Sequence, residues 1–208
     1  MITAETLMIF VTASVALSLA PGPDNIFVLT QSAVHGRLAG LFVVLGLMTG
    51  ILVHTALVAV GVAAVFQTSA LAFAALKIAG AAYLIYLAVK AFRAGAEKIT
   101  EAGAANTSLR KLYGTGVIMN VTNPKVAIFF LAFLPQFVDP TSGSVPLQIL
   151  SLGLTFILCT LVVFGGIAFL AGSLGGWLRR VPSAQIWLNR FAGVVFIGLA
   201  ARLLASSR

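Results

Sequence analysis

The sequence predicts an all-α polytopic membrane protein: six transmembrane helices forming two inverted three-helix repeats, with helices 1 and 4 broken near the membrane midplane. Three observations carry this expectation. Of 208 residues, 60% are hydrophobic and 9% charged, where a soluble domain holds about a quarter charged residues; mean hydropathy is +1.09. Six apolar stretches each supply the ~20 residues needed to cross a ~30 Å hydrocarbon core. Two short segments, Pro21-Gly22-Pro23-Asp24-Asn25 and Thr122-Asn123-Pro124-Lys125-Val126, interrupt the first and fourth of these stretches with helix breakers and ionisable side chains. A bilayer tolerates such a break only where it lines a protein-enclosed cavity.

The six spans fall at roughly 5–34, 38–66, 70–92, 113–138, 146–172 and 186–205. The first is too long for one straight crossing, which the break at 21–25 explains. Ser18-Leu19-Ala20 resembles a small-residue cleavage site, but the first twenty residues hold no Lys or Arg and Pro21 follows the site, so 1–34 reads as first-helix sequence rather than a signal peptide. The sizeable polar connection, Arg93 to Lys111, separates three spans from three. This divides the chain into a first repeat, 1–92, a linker, 93–112, and a second repeat, 113–208, within one domain.

The connections split by charge. His35 and Arg37 lie between spans one and two. Lys90, Arg93, Lys98, Arg110 and Lys111 fill or flank the connection between three and four, and Arg179, Arg180 and nearby Arg190 that between five and six. The connections Gln67–Ser69 and Asp139–Val145 contain no Lys or Arg. The positive-inside rule places the odd connections in the cytoplasm and both termini outside, with Arg202 and Arg208 as counterweights. The formal charge of +8 is therefore expected to set topology in a lipid bilayer rather than to bind nucleic acid.

An internal repeat is legible. Lys77-Ile78-Ala79-Gly80-Ala81-Ala82-Tyr83 matches Arg190-Phe191-Ala192-Gly193-Val194-Val195-Phe196, and Gly22-Pro23-Asp24 matches Asn123-Pro124-Lys125. Leu45-Gly46-Leu47 and Leu152-Gly153-Leu154 align loosely. Chance resemblance between apolar segments is the competing explanation. Three spans per repeat is an odd number, so a second copy must enter the membrane from the opposite side, an inverted pair of the kind secondary transporters use.

Proline has no amide hydrogen and collides with the carbonyl four residues back. Pro21 and Pro23 should free the carbonyls of Leu17 and Leu19, and Pro124 that of Asn120. Gly22 and Asn123 read as N-caps with proline at the first helical position. Each break then offers carbonyls that attract a cation and a half-helix N-terminus that attracts a carboxylate. Asp24 and Lys125 occupy equivalent repeat positions near the midplane, where each alone is costly, so they are expected to pair or to face a shared wet cavity. A zwitterion suits that cavity: its ammonium at Asp24 and the freed carbonyls, its carboxylate at Lys125 and half-helix amides, with Asn25, Asn120 and Asn123 orienting it. The alternative is a static bridge that only locks two helices.

His54, near the middle of the second span, joins Asp24 as a candidate proton carrier; a packed core histidine is the alternative. Lys77 reads as a snorkelling side chain, Tyr83 and Tyr86 as packing, Gln136 as a cap on the outer end of helix 4, and Cys159 as a small buried hydrophobe. The glycines, Gly46 and Gly50 among them, suggest close helix packing. There is no P-loop, no paired Cys/His metal spacing and no nucleophile–base arrangement, so neither an enzyme nor a cofactor or metal site is expected.

The run Ser18-Leu19-Ala20-Pro21-Gly22-Pro23-Asp24-Asn25-Ile26-Phe27-Val28-Leu29 resembles the signature of the LysE/RhtB family of amino-acid exporters. Asn123-Pro124-Lys125-Val126-Ala127-Ile128-Phe129-Phe130, Phe133-Leu134-Pro135-Gln136-Phe137 and Leu76-Lys77-Ile78-Ala79-Gly80-Ala81-Ala82-Tyr83-Leu84 extend the likeness along the chain. The resemblance implies a bacterial inner-membrane exporter of amino acids or related metabolites, driven by proton antiport, often a homodimer. It attaches importance to Asp24, Asn25, Asn123, Pro124 and Lys125. Members handle lysine, arginine, homoserine, threonine, cysteine, leucine and others, so the likeness selects no substrate. A cation or metal-ion transporter on the same scaffold is the alternative; it calls for several midplane carboxylates, where Asp24 stands opposite a lysine.

Overall fold

A computed structural model describes residues 2–20, 22–68, 70–95, 108–180 and 182–205. Pro21, most of the expected linker with Lys98, and the C-terminal Arg208 lie outside the described residues, as do the side chains of Arg179, Arg180 and Arg202. Among the described residues every regular element is helical: α1 (Ala4–Leu19), α2 (Pro23–His35), α3 (Arg37–Thr68), α4 (Ala70–Arg93), α5 (Leu109–Val121), α6 (Pro124–Ile128), α7 (Val145–Arg180) and α8 (Pro182–Ala205), with a π-helical turn and two short 3₁₀ turns between α6 and α7.

Both expected breaks are present. Thr3 caps α1 by accepting the Thr6 amide, and α1 runs until the Pro21-Gly22-Pro23 segment removes two donors in succession. Gly22, in extended conformation, is the N-cap of α2, with Pro23 in its first turn. The axes of α1 and α2 bend by 60°. In the second half, Thr122 ends α5, Asn123 caps α6, and Pro124 opens it. Helix α6 continues through the π turn Phe129–Phe133 and the 3₁₀ turn Leu134–Phe137, bent 49° from α5. The sequence carried no sign of the π turn, which widens the helix by one residue per hydrogen bond. Gly36, at φ 85°, joins α2 to α3; that left-handed conformation favours glycine and allows a one-residue connection.

Three helical stretches are long and apolar enough to cross a membrane: Arg37–Gly61, Val145–Ala171 and Ile186–Ala205. If each bent pair counts as one span, the described residues supply five. Helix α4, expected as the third span, is continuous over 24 residues. Helix α7 is longer than the sequence suggested, reaching Arg180; its 36 residues span about 54 Å. Leu52, Leu57, Val60, Leu154, Leu158, Val162, Val194 and Ile197 point outward as exposed apolar side chains, a surface that lipid rather than water satisfies.

Helix α3 packs against α5, while α7 packs against α1 and α2; α3 also meets α7, and α4 lies along α8. The α3–α5 crossing is close because a Cβ at Gly46 would run into the carbonyl of Tyr113, and one at Gly116 into that of Val43. The loosely aligned Gly153 instead nests against Thr55 of α3, so the two glycines hold different contacts. An aromatic cluster forms the core beside the second break. Phe129 stacks at 4.9 Å from Phe133 and 5.1 Å from Phe156, and Phe10 of α1 meets Phe137 at 5.2 Å. This cluster ties α1, the π turn and α7 together around both breaks.

Candidate functional site

The two breaks meet. Asn123 Nδ2 donates to Asp24 Oδ2 at 2.8 Å, joining residues 99 positions apart across the halves of the chain. The same side chain uses Oδ1 to accept the Lys125 amide at 3.0 Å, so Asn123 serves both as the helix cap and as the partner of the carboxylate. Asp24 is 2% exposed and sits in the first turn of α2, where the helix dipole favours negative charge.

Lys125 takes a different partner. Its Nζ donates to Leu17 O at 3.2 Å and Ala20 O at 3.1 Å, while Asp24 Oδ1 has no hydrogen-bond partner among the described residues. Leu17 O is the carbonyl that Pro21 cannot serve, since proline has no amide hydrogen. The freed end of α1 is thus closed by the protein's own ammonium. Gly22 lies alongside: a Cβ there would be 3.4 Å from Lys125 Nζ, an ordinary contact. Asn25 completes the closure by donating Nδ2 to Ser18 O at 2.7 Å.

The second break mirrors this. Asn120 O, which Pro124 leaves without its usual donor, accepts the Asn123 amide at 3.0 Å and lies 3.2 Å from His54 Nε2. His54 is buried on α3 and stacks on Phe130 of the π turn, ring centroids 5.8 Å apart. Asn120 is buried too, its side chain fitted against Gly50 of α3.

The structure therefore brings together Gly22, Pro23, Asp24, Asn25, Asn120, Asn123, Pro124, Lys125 and His54; Pro21 lies outside the described residues. Three buried acceptor oxygens around the breaks have no donor among the described residues: Asp24 Oδ1, Asn25 Oδ1 and Asn120 Oδ1. A buried acceptor without a donor is costly, so each of these oxygens is a place where an N–H or O–H group would be stabilised. Beside Lys125 a narrow apolar cleft, with no room for a water molecule, runs between α4 and the π turn, lined by Leu17, Gly80, Tyr83, Leu87 and Phe129. Gly80 permits that seam, since a Cβ there would overlap Ala132. Sequence reasoning did not assign this cleft; the glycine at the centre of the repeated Ala79-Gly80 motif was its signal. Gln136 donates to Ala132 O at 3.4 Å, in the 3₁₀ turn that ends the expected fourth span.

The family described as LysE type translocator matches residues 15–207. The chain is 37% identical to the homoserine/homoserine lactone efflux protein of Salmonella typhimurium, over 99% of this chain and 98% of that one. It is 33% identical to an uncharacterized membrane protein of Vibrio cholerae, over 96% of each chain. It is 28% identical to the leucine efflux protein of Enterobacter, over 93% of this chain and 92% of that one. No solved structure gives a significant match.

Proposed function

We propose, from the premise that the chain belongs to the LysE type translocator family, that it exports a small amine-bearing zwitterion across the cytoplasmic membrane by secondary active transport, with proton antiport as the driving reaction. It is a membrane translocator and not an enzyme. The relatives are named for export of homoserine, its lactone and leucine. All three compounds carry a primary amine; homoserine and leucine also carry the carboxylate of a zwitterion, which the lactone lacks, so these two are the first substrates to try here.

The observation that carries this reading is Lys125 Nζ on Leu17 O and Ala20 O beside the donor-less Asp24 Oδ1. In this closed arrangement the lysine ammonium stands where a substrate ammonium would bind. An incoming amine competes for the same carbonyls and gains Asp24 Oδ1, Asn25 Oδ1 and Asn120 Oδ1 as acceptors. The substrate carboxylate draws Lys125 toward itself through a charge-assisted hydrogen bond. Asn123 holds Asp24 in place during the exchange. Binding thus substitutes one ammonium for another at the end of α1 and leaves no charge unpaired in the apolar interior.

The pairing of helices supports the inverted-repeat reading. Under an exchange of 1–92 with 113–208, the α3–α5 contact becomes the α7–α1 contact, and α3–α7 and α4–α8 map onto themselves, whereas α2–α3 has no comparable α6–α7 contact. With residues 93–112 in the cytoplasm, both termini are periplasmic and the two halves rock about the shared breaks. The test is an efflux screen. Cells overproducing the protein, loaded with each amino acid in turn and with homoserine lactone, should release at least one faster than control cells. If no compound in that panel changes its efflux, the reading fails.

A further inference from the structure

His54 is buried beside the second break. Its ring lies on α3, one turn beyond Gly50, and these two residues grip Asn120 at different points. Gly50 offers a notch in which the Asn120 side chain rests; a Cβ there would be 2.6 Å from Asn120 Cβ. His54 Nε2 reaches the Asn120 carbonyl at 3.2 Å. A carbonyl only accepts, so Nε2 carries the hydrogen in this contact. Phe130, fully buried in the π turn, fixes the ring plane by stacking at an interplanar angle of 30°.

The contact repeats a pattern seen at the first break. There Pro21 strips Leu17 O of its helical donor, and Lys125 from the second half supplies one. Here Pro124 strips Asn120 O of its i+4 donor, and His54 from the first half joins the Asn123 amide on that oxygen. Each break is thus closed by a nitrogen donor from the opposite half.

We propose that His54 is a positioning residue of the transport site: its Nε2–H caps the carbonyl freed by Pro124 and so fixes the Asn120 amide that receives the substrate. This rests on the transport reading above. The role needs a donor at Nε2 and nothing more. The neutral Nε2–H tautomer and the imidazolium both donate there, so gain or loss of a proton at Nδ1 leaves the cap intact. His54 is then a fixed strut between the halves.

Two substitutions separate this role from proton carriage and from packing. Glutamine places an amide N–H close to where Nε2 stands but does not titrate; leucine fills similar space with no donor. With a substrate from the efflux screen, His54→Gln should keep the wild-type pH profile and a half-saturating concentration within about threefold. His54→Leu should raise the half-saturating concentration by about fivefold to tenfold, the effect of losing the hydrogen bond from α3 to the Asn120 carbonyl, at unchanged protein level. Loss of the pH dependence in His54→Gln would overturn the proposal in favour of a proton carrier. A leucine variant with wild-type half-saturation would reduce His54 to packing. Hydrogen exchange of the purified protein reads the cap without any transport. The Asn123 amide, which shares the Asn120 carbonyl, should exchange faster in His54→Leu and at the wild-type rate in His54→Gln; equal rates in all three proteins would overturn the cap. If no compound is exported by wild type, the transport reading falls and the exchange rates still decide the cap.

Discussion

Replacing Asn123 separates the two tasks this side chain performs. In Asn123→Ala, α6 loses its N-cap, the 3.0 Å bond from the Lys125 amide, at a cost of about 1 kcal/mol. Asp24 also loses the 2.8 Å donor that satisfies Oδ2. With Oδ1 already lacking a partner, the buried carboxyl would then have none, for about 1–3 kcal/mol more. The sum, about 2–4 kcal/mol, corresponds to a fall in Tm of about 4–16 °C for a chain of this size. Asn123→Ser keeps an oxygen for the Lys125 amide but has no reach to Asp24, so its fall should be smaller by about the cap's 1 kcal/mol. The assay is thermal unfolding of the detergent-purified protein, alongside export by cells at matched protein level. Both variants should export poorly, because neither holds Asp24. Two results would refute the reasoning: a serine variant as unstable as alanine, which removes the cap from the account, or an alanine variant with wild-type Tm and export, which removes the bridge.

Further outcomes follow from the packing, the loops and the charges. Gly46→Leu should abolish accumulation of folded protein, because even a Cβ would strike the Tyr113 carbonyl, whereas Gly114→Ala, with open space around it, should be neutral or slightly stabilising; monodispersity and Tm after detergent extraction check both. Asp139, in the connection before α7, is held at a pKa of about 2 by hydrogen bonds from Ser142 and Thr141. Because this value lies below the ordinary 3.8, its contribution to the turn is complete above that pH and is lost as pH falls toward 2. Protease cleavage within 139–145 should therefore rise on acidification through this window, and Asp139→Asn should remove the change. A reporter active only in the periplasm should be silent when fused at residue 100, and activity there would invert the proposed topology.

Much of this arrangement was legible because it depends on local chemistry. Proline fixed where the helices break, and glycine or asparagine before proline fixed which residue caps the restart; Gly22 and Asn123 do so. The carbonyls of Leu17 and Asn120 were identifiable as lacking their i+4 donors from proline's missing amide hydrogen alone. What closes them was not, because that depends on which helices adjoin. Apolar periodicity is nearly silent on helix neighbours when both lipid and core are hydrophobic. Hence Lys125 was expected to pair with Asp24 or face a common cavity, and it turned onto α1 while Asn123 took the carboxylate. His54 likewise read as a core residue or a proton carrier until α3 was placed against α5. The π turn at Phe129–Phe133 had no local signature, since five consecutive apolar residues suit either helix type.

The central claim is that a substrate amine displaces Lys125 from the end of α1 and is held by Asp24. The most direct measurement is efflux of a screened substrate from loaded cells producing wild type, Asp24→Asn or Lys125→Met at equal membrane levels. The account predicts measurable efflux from wild type and background efflux from both variants; wild-type rates in both would contradict it.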